Sequence, residues 1–382
     1  VTLVYHRSIQ GPATHAFVVG CGRYPNLGSS GSADRKAPVA GAVAMTRLLI
    51  EKCDTLVAPL GSVELLLSDP GTDGAADVVQ HLPGAIETAV DPADESRFRA
   101  GGERWLGRIR PGDVVVFYFA GHGISDRVGD AVGLLEDTGS SRFRPWAQSF
   151  SVTKLALALR TMSAESAWVF FDACQEVVAE FADRLWEVKN IELKEITLRD
   201  VTDATCEPLA LAGSTTGQLA WAPDAYEPPF FTQVLLKGLS GCCVERTREH
   251  GWAVTGVTLA YDLAEIARTI TDRAVVKPQS LIGHSERKVL LAVERPFTPV
   301  KVRSSPEMHL KLAAAVRLMH GSSIVRSDTD PDFAWVVDVE LEERELTVQC
   351  DTKLGAPMLA SETFRQQPPA HNITLKPVKE EI

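Results

Sequence analysis

The chain has 382 residues, 45% hydrophobic and 23% charged, with 39 basic against 50 acidic side chains and a net charge of -11. That length holds two to three domains at roughly 150 residues each and excludes a peptide, a knottin or a single zinc finger. Its apolar runs, such as residues 114–120, fall far short of the ~18 residues a membrane helix needs, and an acidic chain without a basic cluster does not suit a phosphate backbone, so neither membrane nor nucleic acid is an expected partner.

The chain opens Val1-Thr2, with no basic-then-apolar leader, so no secretion signal is expected. From Thr14 onward, short β-rich runs alternate with longer helical ones, the pattern of a parallel sheet with crossover helices. Strands are predicted at residues 16–21, 63–67, 113–119, 167–172 and 208–212. Three of them carry Val, Phe and Leu on both parities, which predicts burial on both faces. Helical spacing covers 39–53, entered through Pro38, and then 153–162, 230–239 and 257–270. The predicted class is α/β, with a mostly parallel central sheet covered on both sides.

Between 176 and 205 the chain becomes charged and poor in turn signals, as a solvated helix and exposed connector would be. From about 296, Pro296, Pro299 and Pro306 precede apparent strands at 334–341 and 346–350, which predicts a separate β-rich module ending in a polar tail. No repeat, coiled coil or low-complexity tract interrupts this order. The seven cysteines, at 21, 53, 174, 206, 242, 243 and 350, lack CxxC pairs or zinc-spaced histidines and suit a reducing cytoplasm.

Open α/β sheets place their ligand sites beyond the carboxyl ends of the strands. There the predicted strand at 113–119 runs into Ala120-Gly121-His122-Gly123, and the strand at 167–172 runs through Asp172-Ala173 into Cys174. If the two strands are neighbours, an imidazole meets a thiol, the pair that thiol cleavage of a peptide bond requires: a partner that raises the thiolate fraction, then a proton for the leaving amine. The backbone N–H of Gly123, unshielded by a Cβ, and that of Cys174 would hold the oxyanion. A single Cys at a strand end is ordinarily a small core residue, and Gly-His-Gly is ordinarily a tight turn. Their pairing at two strand exits, with the Cys 52 residues after the His, favours the chemical reading.

The segments VVVFYFAGHG and WVFFDAC resemble the large-subunit region of the caspase-like cysteine peptidases, which include caspases, metacaspases and bacterial relatives. Residues 211–239, LAGSTTGQLAWAPDAYEPPFFTQVLLKGL, resemble the small-subunit region, and the likeness extends over about residues 14–292. It implies a three-layer αβα sandwich, with a large-subunit region at 1–205 (connector 176–205), a small-subunit region at 206–295 and a β-rich accessory module at 296–382. It also implies a cysteine endopeptidase with His122 and Cys174 as its dyad.

Caspases hold a substrate Asp with a Gln two residues before the Cys and an Arg after the small-subunit Trp, whereas this chain has Asp172 and Ala222. The exchange implies a pocket that rejects an anion and takes Arg or Lys, paired with Asp172, as in metacaspases. The alternative for Asp172 is a helix N-cap after the strand. Asp224 is a second candidate acid. By the same resemblance Gln218 and Ala220 belong to the strand on which substrate docks, and Trp221 walls the neighbouring pocket or packs as core. Cys21 ends the first strand and is expected to be a bystander; His284 is expected to be a surface or packing residue, and Cys242-Cys243 core plus rim.

Some metacaspases bind calcium; Glu136, Asp137 and Asp183 are available here without a complete motif, so the ion is optional and no cofactor is required. Arg184, Lys189, Lys194 and Arg199 in the connector are candidate processing points. The partners implied are a protein substrate with a basic residue before the scissile bond and an activating protein, as in bacterial stress, cell-death or antiviral defence. Two other readings stand beside this one: a catalytically silent caspase fold that binds through 296–382, and a caspase-like protease specific for Asp through other residues.

Overall fold

The computed structural model describes residues 2–28, 31–70, 86, 89–125, 130–141, 143–174, 206, 208–214, 226–270, 279–282, 288–353 and 358–378. Two compact units divide the chain, one formed by 1–236 with 275–292 and the other by 237–274 with 293–382. The first unit contains β1 (Leu3–His6), β2 (Thr14–Cys21), α1 (Ala37–Glu51), β3 (Leu60–Ser68), α2 (Glu95–Leu106) and β4 (Val114–Gly121). It continues with β5 (Gly123–Ser125), β6 (Ala131–Leu134), β7 (Ser149–Ser151), α3 (Val152–Arg160), β8 (Ser166–Ala173), β9 (Pro208–Ala212) and α4 (Phe230–Lys237). The chain next forms β10 (Glu245–Thr247), β11 (Gly251–Thr255) and α5 (Gly256–Ile270) of the second unit, then returns with β12 (Gln279–Ile282) and β13 (Val289–Ala292).

A seven-stranded sheet in the order β1-β3-β2-β4-β8-β9-β12 forms the centre of the first unit. Its five inner strands are parallel, and β1 and β12 run antiparallel along the edges. Every residue of β2, β3 and β8 is buried, as the two-sided apolar pattern requires when helices cover both faces. On one face Phe17, Phe117, Phe119 and Phe171 meet Phe98 and Trp105 from α2 and Phe150 from β7. Phe119 stacks on Phe171 with 5.5 Å between centroids, while Phe150 meets Phe119 edge-on at 5.0 Å. Helices α1 and α4 take the other face, where Gly20 leaves room for Ala42 of α1 and the Tyr118 hydroxyl bonds Thr232 of α4. Three layers, α, β and α, result.

Helix α2 was not expected from the sequence. Its buried side carries only Phe98, Trp105 and Leu106, with Gly101 and Gly102 between them, so an apolar period is hard to see. It starts instead on a cap: the Asp94 carboxylate accepts the Arg97 N–H. Strands β1, β5, β6 and β7 span three or four residues each, too few for alternation to register. Helix α4 ends at Lys237, two residues before the predicted end, where the chain widens into a π-type turn over Gly238–Cys242.

In the second unit follow β14 (Phe297–Ser304), α6 (Met308–Lys311), β15 (Ala313–His320), β16 (Ser323–Asp328), β17 (Ala334–Glu340), β18 (Glu345–Thr352), β19 (Glu362–Arg365) and β20 (His371–Leu375). They build two sheets, β17-β14-β20 and β16-β15-β18-β19. Val300, Val302, Val316, Leu318, Val339, Leu346 and Val348 fill a common core, which gives the β-rich C-terminal region its own apolar interior. Among the described residues no helix is long and apolar enough to cross a membrane.

Candidate active site

Strands β4 and β8 are parallel neighbours, in register from Val114 with Ser166 to Gly121 with Ala173. His122 and Cys174 are therefore the next residues out, at one level on adjacent strands, and such strands lie ~4.8 Å apart. The two exits touch through their backbones. A Cβ at Gly123 would lie 2.6 Å from the Cys174 carbonyl oxygen and 2.8 Å from Ala173 Cβ. A Cβ at Gly121 would lie 2.6 Å from Tyr24 Oη and 2.7 Å from Phe119 Cζ. Close approach on opposite sides of His122 thus accounts for both glycines.

Two contacts hold the imidazole, and further hydrogen bonds hold the His122 backbone. His122 Nε2 lies 2.6 Å from the Ala33 carbonyl oxygen. A carbonyl can only accept, so Nε2 carries the hydrogen and Nδ1 holds the lone pair. The ring packs against Tyr24, with centroids 4.7 Å apart and planes inclined by 56°. The His122 backbone N–H donates to Tyr24 Oη at 2.7 Å, the Tyr24 hydroxyl donates to the Leu134 carbonyl at 3.2 Å, and the Leu134 N–H donates to the His122 carbonyl at 3.0 Å. Burial lowers the His122 pKa from its ordinary 6.5; the Ala33 carbonyl pulls it up, the Arg35 charge pushes it further down and Asp34 opposes. The net lowering leaves the ring neutral at neutral pH, with Nδ1 able to take a proton.

Ala33 and Tyr24 belong to one loop, closed by hydrogen bonds from Arg35 N–H to the Gly22 carbonyl at 2.7 Å and from Tyr24 N–H to the Asp34 carboxylate at 2.8 Å. The sequence reading missed Tyr24 and Asp34. The one available signal was their location just past a strand exit, since no spacing rule links them to His122.

Cys174 is half-buried, whereas Cys21 is wholly buried, and no disulfide occurs among the described residues. Burial raises the Cys21 thiol pKa, which keeps it protonated and suits the bystander role expected of it.

Asp172 lies on the face covered by α1 and α4 and is 2% exposed. Its Oδ2 accepts the Thr232 backbone N–H at 3.0 Å and also the Thr232 hydroxyl, which in turn accepts the Tyr118 hydroxyl. Thr232 is the third residue of α4, so the carboxylate caps that helix's first turn. Its Oδ1 is buried with no hydrogen-bond partner among the described residues. Burial pushes the carboxyl up to about 6, against the two bonds from Thr232 that pull it down.

Gln218, Ala220, Trp221 and Asp224 lie outside the described residues, as do Asp183, His284 and the connector's Arg184, Lys189, Lys194 and Arg199. The two described acids considered for calcium are engaged elsewhere. Glu136 takes the Arg23 guanidinium on one oxygen and the Ser68 hydroxyl on the other, and Asp137 accepts the Glu95 N–H at 3.1 Å. Among the described residues no group of three or more His, Cys, Asp and Glu side chains could hold a metal ion, so these acids do not fit a calcium cradle of six oxygens.

Residues 13–250 match the family model described as Caspase domain. A curated relative, uncharacterized protein y4kE of Sinorhizobium fredii, is 28% identical over 283 residues, which are 72% of this chain and 77% of that protein. A crystal structure of a protein from Geobacter sulfurreducens superposes with a TM-score of 0.44 at 14% identity, over 74% of this chain and 98% of that one.

Proposed function

Because the chain belongs to the caspase domain family, we propose that it is a cysteine endopeptidase that cleaves after Arg or Lys, with Cys174 as nucleophile and His122 as acid and base. The observation that carries this reading is the contact of His122 Nε2 with the Ala33 carbonyl, from which the tautomer is inferred. With Nε2–H bound to the Ala33 carbonyl, the Nδ1 lone pair is the end of the ring left for the neighbouring strand exit.

In the reaction, Nδ1 takes the Cys174 proton, and the thiolate adds to the substrate carbonyl carbon while the Ala33 carbonyl steadies the imidazolium. His122 passes the proton to the leaving amine as the C–N bond breaks, leaving a thioester. It then takes a proton from water, which attacks the thioester and returns the thiol. The Gly123 and Cys174 N–H groups are the proposed oxyanion donors. Antiparallel pairing supports Gly123 in this role. The Leu134 N–H bonds the His122 carbonyl, so the following rung, Gly123 with Gly133, is of the kind whose N–H turns away from its partner strand.

Asp172 supports the basic specificity. A guanidinium or ammonium at its Oδ1, which has no partner among the described residues, would supply a donor and a counter-charge to this buried carboxylate. The Arg and Lys residues at 184, 189, 194 and 199 make self-processing of the connector part of the proposal. So is release by an activating protein in a bacterial stress, cell-death or antiviral pathway, as the resemblance implies. No step is routed through calcium.

Fluorogenic Arg, Lys and Asp peptides, assayed with the parent and Cys174→Ala, test this. Hydrolysis of the Arg and Lys peptides that Cys174→Ala abolishes is expected. Inertness toward all three would favour a binding scaffold, whereas preference for the Asp peptide would remove Asp172 from the specificity argument and spare the dyad.

A further inference from the structure

We infer that Tyr24 is a positioning residue for His122, its hydroxyl inserted between the backbones of His122 and Leu134 so that the imidazole is aimed at the exit of β8. The inference rests on the peptidase reading for its consequence and on backbone geometry for its substance.

Strands β5 and β6 pair Gly123 with Gly133 and Ile124 with Val132, so the next rung pairs His122 with Leu134. On that rung the Leu134 N–H reaches the His122 carbonyl directly, at 3.0 Å. A regular antiparallel rung of this kind exchanges both bonds, so the His122 N–H would return to the Leu134 carbonyl. Here the return bond is relayed: His122 N–H to Tyr24 Oη at 2.7 Å, then Tyr24 O–H to the Leu134 carbonyl at 3.2 Å. The hydroxyl occupies the place a bridging water would take and holds the His122 amide off β6 by the width of an oxygen atom. The rung is thereby splayed, and the chain leaves β4 at an angle that a directly paired His122 would not adopt.

Other contacts converge on the same residue. The Tyr24 ring packs on the imidazole, so one side chain governs both the backbone and the ring plane of His122. At Gly121 a Cβ would come within 2.6 Å of the hydroxyl, so the turn is shaped around that oxygen. The Tyr24 N–H is tied to Asp34, whose chain neighbour Ala33 supplies the acceptor for Nε2–H. The hydroxyl is fully buried with both a donor and an acceptor matched, and burial raises its pKa well above 10, so it stays protonated and does not act as an acid or base itself. Tyr24 thus acts through His122.

The test is Tyr24→Phe, which keeps the ring and removes the oxygen. Without the relay the direct rung can close, drawing His122 toward β6. On the Arg peptide, kcat is expected to fall by about 10- to 100-fold, the scale of a misplacement near 1 Å, with KM changed by less than about twofold. In histidine-labelled protein, the parent should show the single Nε2–H tautomer of His122 by ¹⁵N NMR, and Tyr24→Phe a mixture of tautomers. Unchanged kcat together with an unchanged tautomer would overturn the assignment. If the parent hydrolyses no peptide, the peptidase reading fails and the tautomer alone decides the positioning role. Should Tyr24→Phe not fold, trifluorotyrosine at position 24, a poorer acceptor of nearly the same shape, replaces it with the same two readouts, and the same unchanged pair overturns the assignment.

Discussion

Replacing Asp172 by Asn separates charge from shape. Asn keeps an oxygen for the N–H and hydroxyl of Thr232, removes the ionisable group and puts an NH2 in the place of the buried Oδ1. In the folded chain burial holds the Asp172 carboxyl at about 6, against an ordinary 3.8. The unfolded chain therefore ionises first, so folding takes up a proton between those values and stability falls as pH rises, with the penalty complete above about pH 6. A displacement of that size is worth about 3 kcal/mol at neutral pH, and no discount for solvent applies to a side chain buried this fully.

Urea unfolding of the parent and Asp172→Asn at pH 4 and pH 7.5 reads the effect, because contributions that do not involve the charge cancel between the two conditions. Relative to the variant, the parent should lose about 2 kcal/mol over that interval, the share of the titration that falls inside it. Asp172→Asn should also lose most Arg-peptide hydrolysis while alkylation of the Cys174 thiol proceeds. A pH-independent difference would refute the claim that burial displaces this carboxyl, and retained Arg preference would refute its place in specificity.

Gly123→Ala puts a Cβ 2.6 Å from the Cys174 carbonyl oxygen, so β5 must move; a stability loss of about 1–3 kcal/mol is expected, with kcat falling more than KM rises, checked by thermal melts and steady-state kinetics. Thr232→Val removes a hydroxyl donor that holds the Asp172 pKa down. The carboxyl should then titrate above 6, and KM for the Arg peptide should rise more at pH 6 than at pH 8; equal changes at both would count against the link. For His122, whose pKa burial lowers from 6.5, the stability due to its neutral form is present above 6.5 and is lost as pH falls through the lowered value. An NMR titration of the ring should therefore give a midpoint below 6.5, and the acid limb of kcat/KM should follow it.

The centre of the fold was legible because β4 and β8 carry large apolar residues on both parities, and only a strand covered on both faces accounts for that. The two exits were legible for the same reason, since a strand so marked shows where it stops. What surrounds His122 was not. Tyr24, Asp34 and Leu134 meet it through a loop closed between Gly22 and Arg35 and the four-residue strand β6, neither of which has a sequence period. Asp172 shows the limit from another side. A capping rule looks about three residues ahead, but the turn this carboxylate closes belongs to Thr232, 60 residues on. The acid was visible, and its helix was not.

That shared carboxylate has a consequence for how selectivity can drift. On the proposed specificity, the oxygen that anchors α4 and the oxygen that greets a basic side chain belong to one residue, so appetite for charge cannot be retuned at position 172 by arbitrary exchange. Replacements that retain an acceptor keep the helix seated, whereas Ala or Val would unseat it in the same stroke. A lineage leaving basic substrates behind would pass through Asn or acquire its new preference on another wall of the groove.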